Sequence, residues 1–152
     1  MLRFHIFLPR DRYKPGRLHV FDATGRLIHS DVPVLGKADN GRAAKAGNPD
    51  RAPMQPFGDT PTGSYVPTRR VMFGAPHDRL GKGWFPIEGA TGDALVACTA
   101  GGRTGLGLHA GRGNDRLVPT YGCLRVLDSD FDALAALAGD APVQIVVEEA
   151  GA

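Results

Sequence analysis

Short apolar runs separated by glycine- and proline-marked polar breaks fill most of this chain, and that rhythm predicts strands rather than helices. "LRFHIFLP" (2–9) reads as a first strand, ended by Pro9. "RLHVF" (17–21) and "RLIHSDVPVL" (26–35) flank "DATG", whose Asp22 and Gly25 suit a tight turn, so a hairpin is expected. "TPTGSYVPTRRVMF" (60–73) reads as a turn running into a strand, with Tyr65, Val66 and Val71 as apolar positions. "GWFPIE" (83–88) and "DALVACTA" (93–100) read as further strands across "GATG", and "GLGLHAG" (105–111) as a short glycine-spaced strand ending at His109. "PVQIVVEE" (142–149) is the final strand. One segment has helical spacing. In "DSDFDALAALAG" (128–139), Phe131, Leu134 and Leu137 share a face, Asp128 or Ser129 can cap the start, and Gly139 the end.

Between the hairpin and the next strand lies "GKADNGRAAKAGNPDRAPMQPFGD" (36–59), a long polar, basic stretch without periodicity. It reads as a surface loop or a functional lid, and its charges suit simple solvation. No repeat or linker divides the chain, so residues 1–152 are expected to form a single, mainly β domain.

Composition narrows the function classes. With 42% hydrophobic and 22% charged residues the chain is ordinary for a soluble protein, and Gly 21 and Pro 12 support the turn-rich reading. A net charge of +2, with no basic stripe interleaved with aromatics, gives no support for a nucleic-acid partner. No run approaches transmembrane length. "MLRFHIFLPRDRYKPG" lacks the apolar core and cleavage site of a secretory signal. As written, the chain is expected to be cytoplasmically made, a mature fragment, or cargo of a route that needs no such signal. Nothing in the pattern bears on oligomeric state.

The candidate chemistry lies in "HAGRGNDRLVPTYGCLRV" (109–126). A cysteine nucleophile needs a base or a cationic partner to reach its thiolate, and His109 stands fourteen positions before Cys123. Glycine follows or precedes each, in "HAG" (Gly111) and "YGC" (Gly122), and permits close backbone approach to a substrate. Backbone N–H groups beside Gly122 can aim at a developing oxyanion. The residues alone leave two readings open: an activated thiol, or a strand-end histidine beside a buried thiol. Cys98 sits in an apolar run and reads as a small buried hydrophobe. Two cysteines could pair, but nothing in their contexts forces it. His19 and His29 read as structural or surface residues. Short-spacing ligand pairs for zinc are missing, and "GGRTGLG" lacks the Gly-Lys-Ser/Thr ending of a phosphate loop, so no metal or cofactor is expected.

"TYGCLRV" (120–126) resembles the nucleophile motif of the L,D-transpeptidase catalytic domain family, Ser/Thr-x-Gly-Cys followed by an aliphatic residue and Arg or Asn. "LGLHAG" (106–111) is similar to that family's histidine motif, and "DTPTGSYVP" (59–67) to its Thr-Pro-x-Gly turn and strand. The helix at "DSDFDAL" stands where the family's does, so the likeness covers about residues 59 to 148. The chain departs from the pattern at Tyr121, where many members carry histidine, at Ala110, and in a shorter His109-to-Cys123 interval.

The resemblance implies an L,D-transpeptidase-like β-sandwich with one short helix near the catalytic cysteine. It implies peptidoglycan stem peptides as partners and action at the periplasm or cell wall. Cys123 would attack the carbonyl of the third stem residue and expel the terminal D-alanine, with His109 moving the proton. Backbone N–H groups around Tyr121, Gly122 and Cys123 would hold the oxyanion. A stem amine, water or a free D-amino acid would then give 3-3 cross-links, trimming or exchange. Tyr121 would line the substrate groove, and Gly111 would let substrate approach. Thr120 would bond within the loop, and Arg125 would bind a carboxylate or brace the loop. Thr60, Pro61 and Gly63 would shape a turn, and Arg112 and Arg116 read as solvated or as attractors of acidic stems. Two other readings remain at this level: a silent peptidoglycan-binding module, and a secreted antibacterial effector using the same chemistry.

Overall fold

A computed structural model describes residues 1–38, 52–55, 58–112 and 116–150 of the chain. The alternation of apolar and polar residues sorts two sheets onto a shared interior. In β1 (Leu2–Leu8), Phe4, Ile6 and Leu8 point inward. In β2 (Gly16–Phe21) Leu18 and Val20 do so, and in β9 (Val143–Glu149) Val143, Ile145 and Val147. With β3 (Leu27–Val34) and β4 (Gly63–Ser64) they form a five-stranded sheet in the order β3-β2-β1-β9-β4. The β2–β3 hairpin turns where expected. Gly25 donates its N–H to the Asp22 carbonyl, and the Asp22 carboxylate accepts from the Thr24 and Arg26 N–H groups. The first and last strands run parallel side by side at the middle of the sheet, Phe4 opposite Ile145.

The second sheet has the order β5-β6-β7-β8: β5 (Val71–His77), β6 (Gly81–Pro86), β7 (Gly107–His109) and β8 (Leu124–Arg125). The interior between the sheets is joined by aromatic contacts. The Phe4 ring meets Phe85 edge-on at 5.3 Å, and Phe85 lies 6.0 Å from Phe131 of α2 (Asp128–Ala138). Burying each such ring contributes roughly 1.5–3 kcal/mol before entropy is counted.

Mainly β is the architecture the pattern predicted, the two sheets fit the sandwich that the resemblance implied, and four local expectations are corrected. Segment 93–100 is not a strand but helix α1 (Gly92–Cys98), so among the described residues there are two short helices rather than the one expected. Only Ala94 and Ala97, three apart, are buried in α1. They are small, so the helix sits close over β4: a Cβ on Gly63 would lie 2.3 Å from the Thr91 carbonyl oxygen. That tight fit overrides the strand reading. Val66 and Val71 are exposed, and of the three expected apolar positions only Tyr65 is buried. In α2, Leu137 is partly exposed, while Ala135 and Ala138 join Phe131 and Leu134 inside. Neither Asp128 nor Ser129 caps α2; the N-cap is Leu127, and the C-cap is Gly139 at φ +56° as expected.

Candidate active site

Register brings the two candidate residues together. β7 and β8 are parallel neighbours with His109 opposite Arg125 and Leu108 opposite Leu124, and Val126 N–H closes onto the His109 carbonyl at 2.9 Å. Side chains alternate along a strand, so His109, Arg125 and Cys123, two residues before Arg125, share one side while both leucines enter the core. All three line a cleft of about 360 Å³.

His109 is 2% exposed, and its Nδ1 lies 2.6 Å from the Ala110 carbonyl oxygen. A carbonyl only accepts, so Nδ1 carries the hydrogen and Nε2 keeps its lone pair. The orienting partner is therefore backbone. Arg125 Nη1 donates to the same oxygen at 2.7 Å. Burial pushes the imidazole pKa down to about 4; the Ala110 bond opposes the fall, and the Arg125 charge and the neighbouring His77 add to it. Cys123 is also buried, which raises its thiol pKa against the opposing Gly107 N–H and the charges of Arg125 and Arg103. Both directions favour a neutral thiol beside a neutral imidazole at rest. Sγ sits 3.6 Å from the Gly105 carbonyl.

The His109 shift has a measurable consequence for stability. Between pH 6.5 and about 4 the unfolded histidine takes up a proton that the folded one refuses. Stability is therefore full above pH 6.5 and falls as the pH drops toward 4, by on the order of 3 kcal/mol. Denaturant titrations of the unsubstituted protein and of His109→Gln from pH 7 to 4 should diverge by that amount. Parallel curves would refute the assigned protonation.

The turn carrying Cys123 is pinned from several directions. Thr120 Oγ1 donates to the Cys123 carbonyl at 2.7 Å and accepts the Gly122 N–H at 3.1 Å. Thr60, from the Thr-Pro-x-Gly turn, donates its hydroxyl to the Gly122 carbonyl at 2.6 Å. Gly122 has φ +116°, and a Cβ there would lie 2.6 Å from Arg103 Nη2 and 2.9 Å from the Gly58 carbonyl oxygen. Arg103, 7% exposed, donates to the Gly58 and Asp59 carbonyls at 2.8 and 3.2 Å. Lys37 and Asp59, each 2% exposed in its side chain, form an ion pair at 3.6 Å. The Lys37 carbonyl accepts the Thr120 N–H at 3.0 Å, and Ala38 N–H donates to Asp59 at 2.8 Å. Both ends of the expected 36–59 loop are thus buried beside the cysteine turn. Residues 39–51 and 56–57 lie outside the described residues, and the lid reading with them.

The expected site residues separate into groups. Tyr121 lines the cleft mouth, 47% exposed. Arg125 lines the cleft but is braced inside the protein, its Nε donating to the Val118 carbonyl at 2.8 Å besides the Ala110 bond. Of the two roles open to it, the geometry supports the brace. Thr120 serves the loop. Gly111 is not among the cleft-lining residues: a Cβ there would lie 2.4 Å from the Arg79 carbonyl oxygen, and its N–H donates to Asp128 at 3.2 Å. It packs the histidine strand against the β5–β6 turn. Arg112 reaches the cleft and Arg116 is not part of its lining. Cys98 is half-buried, accepts the Gly89 N–H at 3.3 Å, and forms no disulfide with Cys123.

Sequence reasoning passed over Arg103 and the β5–β6 turn residues His77 and Arg79. Arg103's partners are main-chain carbonyls distant along the chain, which leave no trace in residue type. Among the described residues no three His, Cys, Asp or Glu side chains gather as a metal-ion set, and no helix is long and apolar enough to cross a membrane.

No protein-family model and no curated protein matches the sequence. Similar solved structures exist. Bd1075 of Bdellovibrio bacteriovorus is 19% identical with a TM-score of 0.59, over 97% of this chain and 47% of that one. The helical cell shape determining protein Pgp2 of Campylobacter jejuni is 15% identical with a TM-score of 0.61, over 99% of this chain and 49% of Pgp2. The likeness is one of fold, and the chain spans about half the length of either structure.

Proposed function

We propose that this chain is a cysteine acyl-transfer enzyme of the L,D-transpeptidase type, acting on peptidoglycan stem peptides at the periplasm or cell wall. The observation that carries the reading is the cleft shared by Cys123 and His109, with the His109 Nδ1 hydrogen held by the Ala110 carbonyl and Nε2 left as base. The motif resemblance of residues 59–148 supports it, as does the fold shared with Pgp2, whose name ties it to cell shape.

In the first step the Cys123 sulfur bonds to the carbonyl carbon of the third stem residue. The thiol proton passes to His109 Nε2, and then to the departing amine as the C–N bond breaks and D-alanine leaves. In the second step a stem amine, water or a free D-amino acid gives a proton to His109 as it bonds to the thioester carbon; the C–S bond breaks, and His109 returns the proton to the Cys123 sulfur. Because the resting imidazole is neutral, His109 is ready as base across the neutral range. With the Gly122 N–H held by Thr120, the Cys123 N–H is the natural donor to the oxyanion, with Gly122 shaping its approach.

Incubation with a tetrapeptide stem, followed by peptide mass mapping, is the test. A tripeptide-acyl mass on Cys123 with release of D-alanine is expected. Release without any adduct at Cys123 on rapid quenching, or an adduct only elsewhere, would sink the reading. Masses of the final products separate cross-linked, trimmed and exchanged stems.

A further inference from the structure

Three arginines and two histidines line the cleft (Arg79, Arg112, Arg125, His77, His109), and no acidic side chain does so among the described residues. Arg125 is committed inward, and Arg112 has Asp78 at 3.9 Å. Arg79 is different. It is exposed at the tip of the β5–β6 turn, and its guanidinium carbon lies 5.5 Å from the Tyr121 ring centre. Stacking on an aromatic face fixes the plane of a guanidinium while leaving its edge N–H groups for a planar acceptor.

The backbone around Arg79 is fixed as well. The His77 Nδ1 accepts the N–H groups of Arg79 and Leu80 at 3.1 and 3.3 Å, and the Arg79 carbonyl accepts from Arg125 Nη1 at 3.4 Å. The turn that presents Arg79 is thereby tied to the residue that also holds the His109 partner carbonyl.

Resting on the acyl-transfer reading above, we propose that Arg79, seated on Tyr121, is a specificity-determining residue that binds a substrate carboxylate close to the scissile amide. The substrate class is then a peptide carrying that free carboxylate. An uncapped, anionic stem is preferred over its amidated or extended counterpart. Two carboxylates of a stem fit this chemistry: the terminal one of the leaving residue, and the side-chain one of the diamino acid. A fork-shaped cation recognises either in the same way.

The test measures kcat/KM for the unsubstituted protein, Arg79→Gln and Arg79→Lys on four stem tetrapeptides. These are free at both carboxylates, amidated at the terminal residue, amidated at the diamino-acid side chain, and amidated at both. Arg79→Gln is expected to lose about 10- to 100-fold on the free peptide. That loss should disappear when one specific carboxylate is amidated, and the peptide on which it disappears names the carboxylate. Arg79→Lys should recover only part, since it keeps charge and loses the fork. A loss that stays equal on all four peptides, or no loss on any, overturns the proposal while leaving acyl transfer standing. Absence of turnover by the unsubstituted protein on every peptide overturns acyl transfer, and this proposal with it.

Discussion

Cys123→Ala is expected to abolish release of D-alanine from a tetrapeptide stem, by about 10⁴-fold or more, while the protein remains folded. On the proposed mechanism the size follows from removing the atom that would form the covalent intermediate, because the remaining groups then have only bound water to work with. Folding should survive. The residue is 8% exposed, its sulfur's polar contacts are to backbone groups of Gly105 and Gly107, and alanine keeps the backbone that Thr120 holds. Deleting one buried sulfur costs on the order of 1 kcal/mol. The paired measurements are D-alanine release by mass spectrometry and the midpoint of thermal unfolding. A variant with an unchanged midpoint that still trims stems at the original rate would assign the chemistry to another residue.

Gly122→Ala is expected to damage both the fold and the site. Its backbone sits at φ +116°, and the new Cβ would be driven against the Gly58 carbonyl and a guanidinium already committed to two carbonyls. Left-handed strain and overpacking together predict a loss of about 2–4 kcal/mol. Catalysis should fall at least about tenfold, because the same turn aims the sulfur. Gly25→Ala is the internal standard: Gly25 has φ +84° with nothing within 4 Å of a built Cβ. It therefore reports the dihedral cost alone, about 1 kcal/mol. If Gly122→Ala loses no more than Gly25→Ala in denaturant titration, the packing argument around Arg103 is wrong.

What was legible in the sequence was whatever had a local signature. The strands of the first sheet could be read because hydrophobic residues at every second position have one burial solution, as in Phe4, Ile6 and Leu8. The hairpin was readable because Asp22 and Gly25 each meet a stereochemical demand within four residues. Helix α1 was misread because its seven residues, Gly, Asp, two Ala, Leu, Val and Cys, have no strong period, and its burial is decided by β4 rather than by its own composition. The same division holds at the cleft. Cys123, His109 and Gly122 were visible through motif and residue type. Arg79 was not, because it enters from a turn between β5 and β6, and its value depends on a ring contributed more than forty residues later. The buried pair of Lys37 and Asp59 was equally hidden, since charged residues flanking a polar loop ordinarily face water.

The Ala110 carbonyl, shared by His109 and Arg125, has an evolutionary consequence. In many catalytic sites the group that orients the base is a side chain, and one codon change can erase it. Here the orienting atom belongs to the peptide unit itself, which every amino acid supplies. Position 110 is therefore free to vary in identity so long as the residue stays small enough for its buried slot, and alanine is as serviceable there as glycine or serine. A saturation screen for inactive variants should recover lesions at the proposed nucleophile and base, and at the arginine that shares their anchor. The third member of the set would leave no lesion of its own, hidden from genetics because it is written into the backbone.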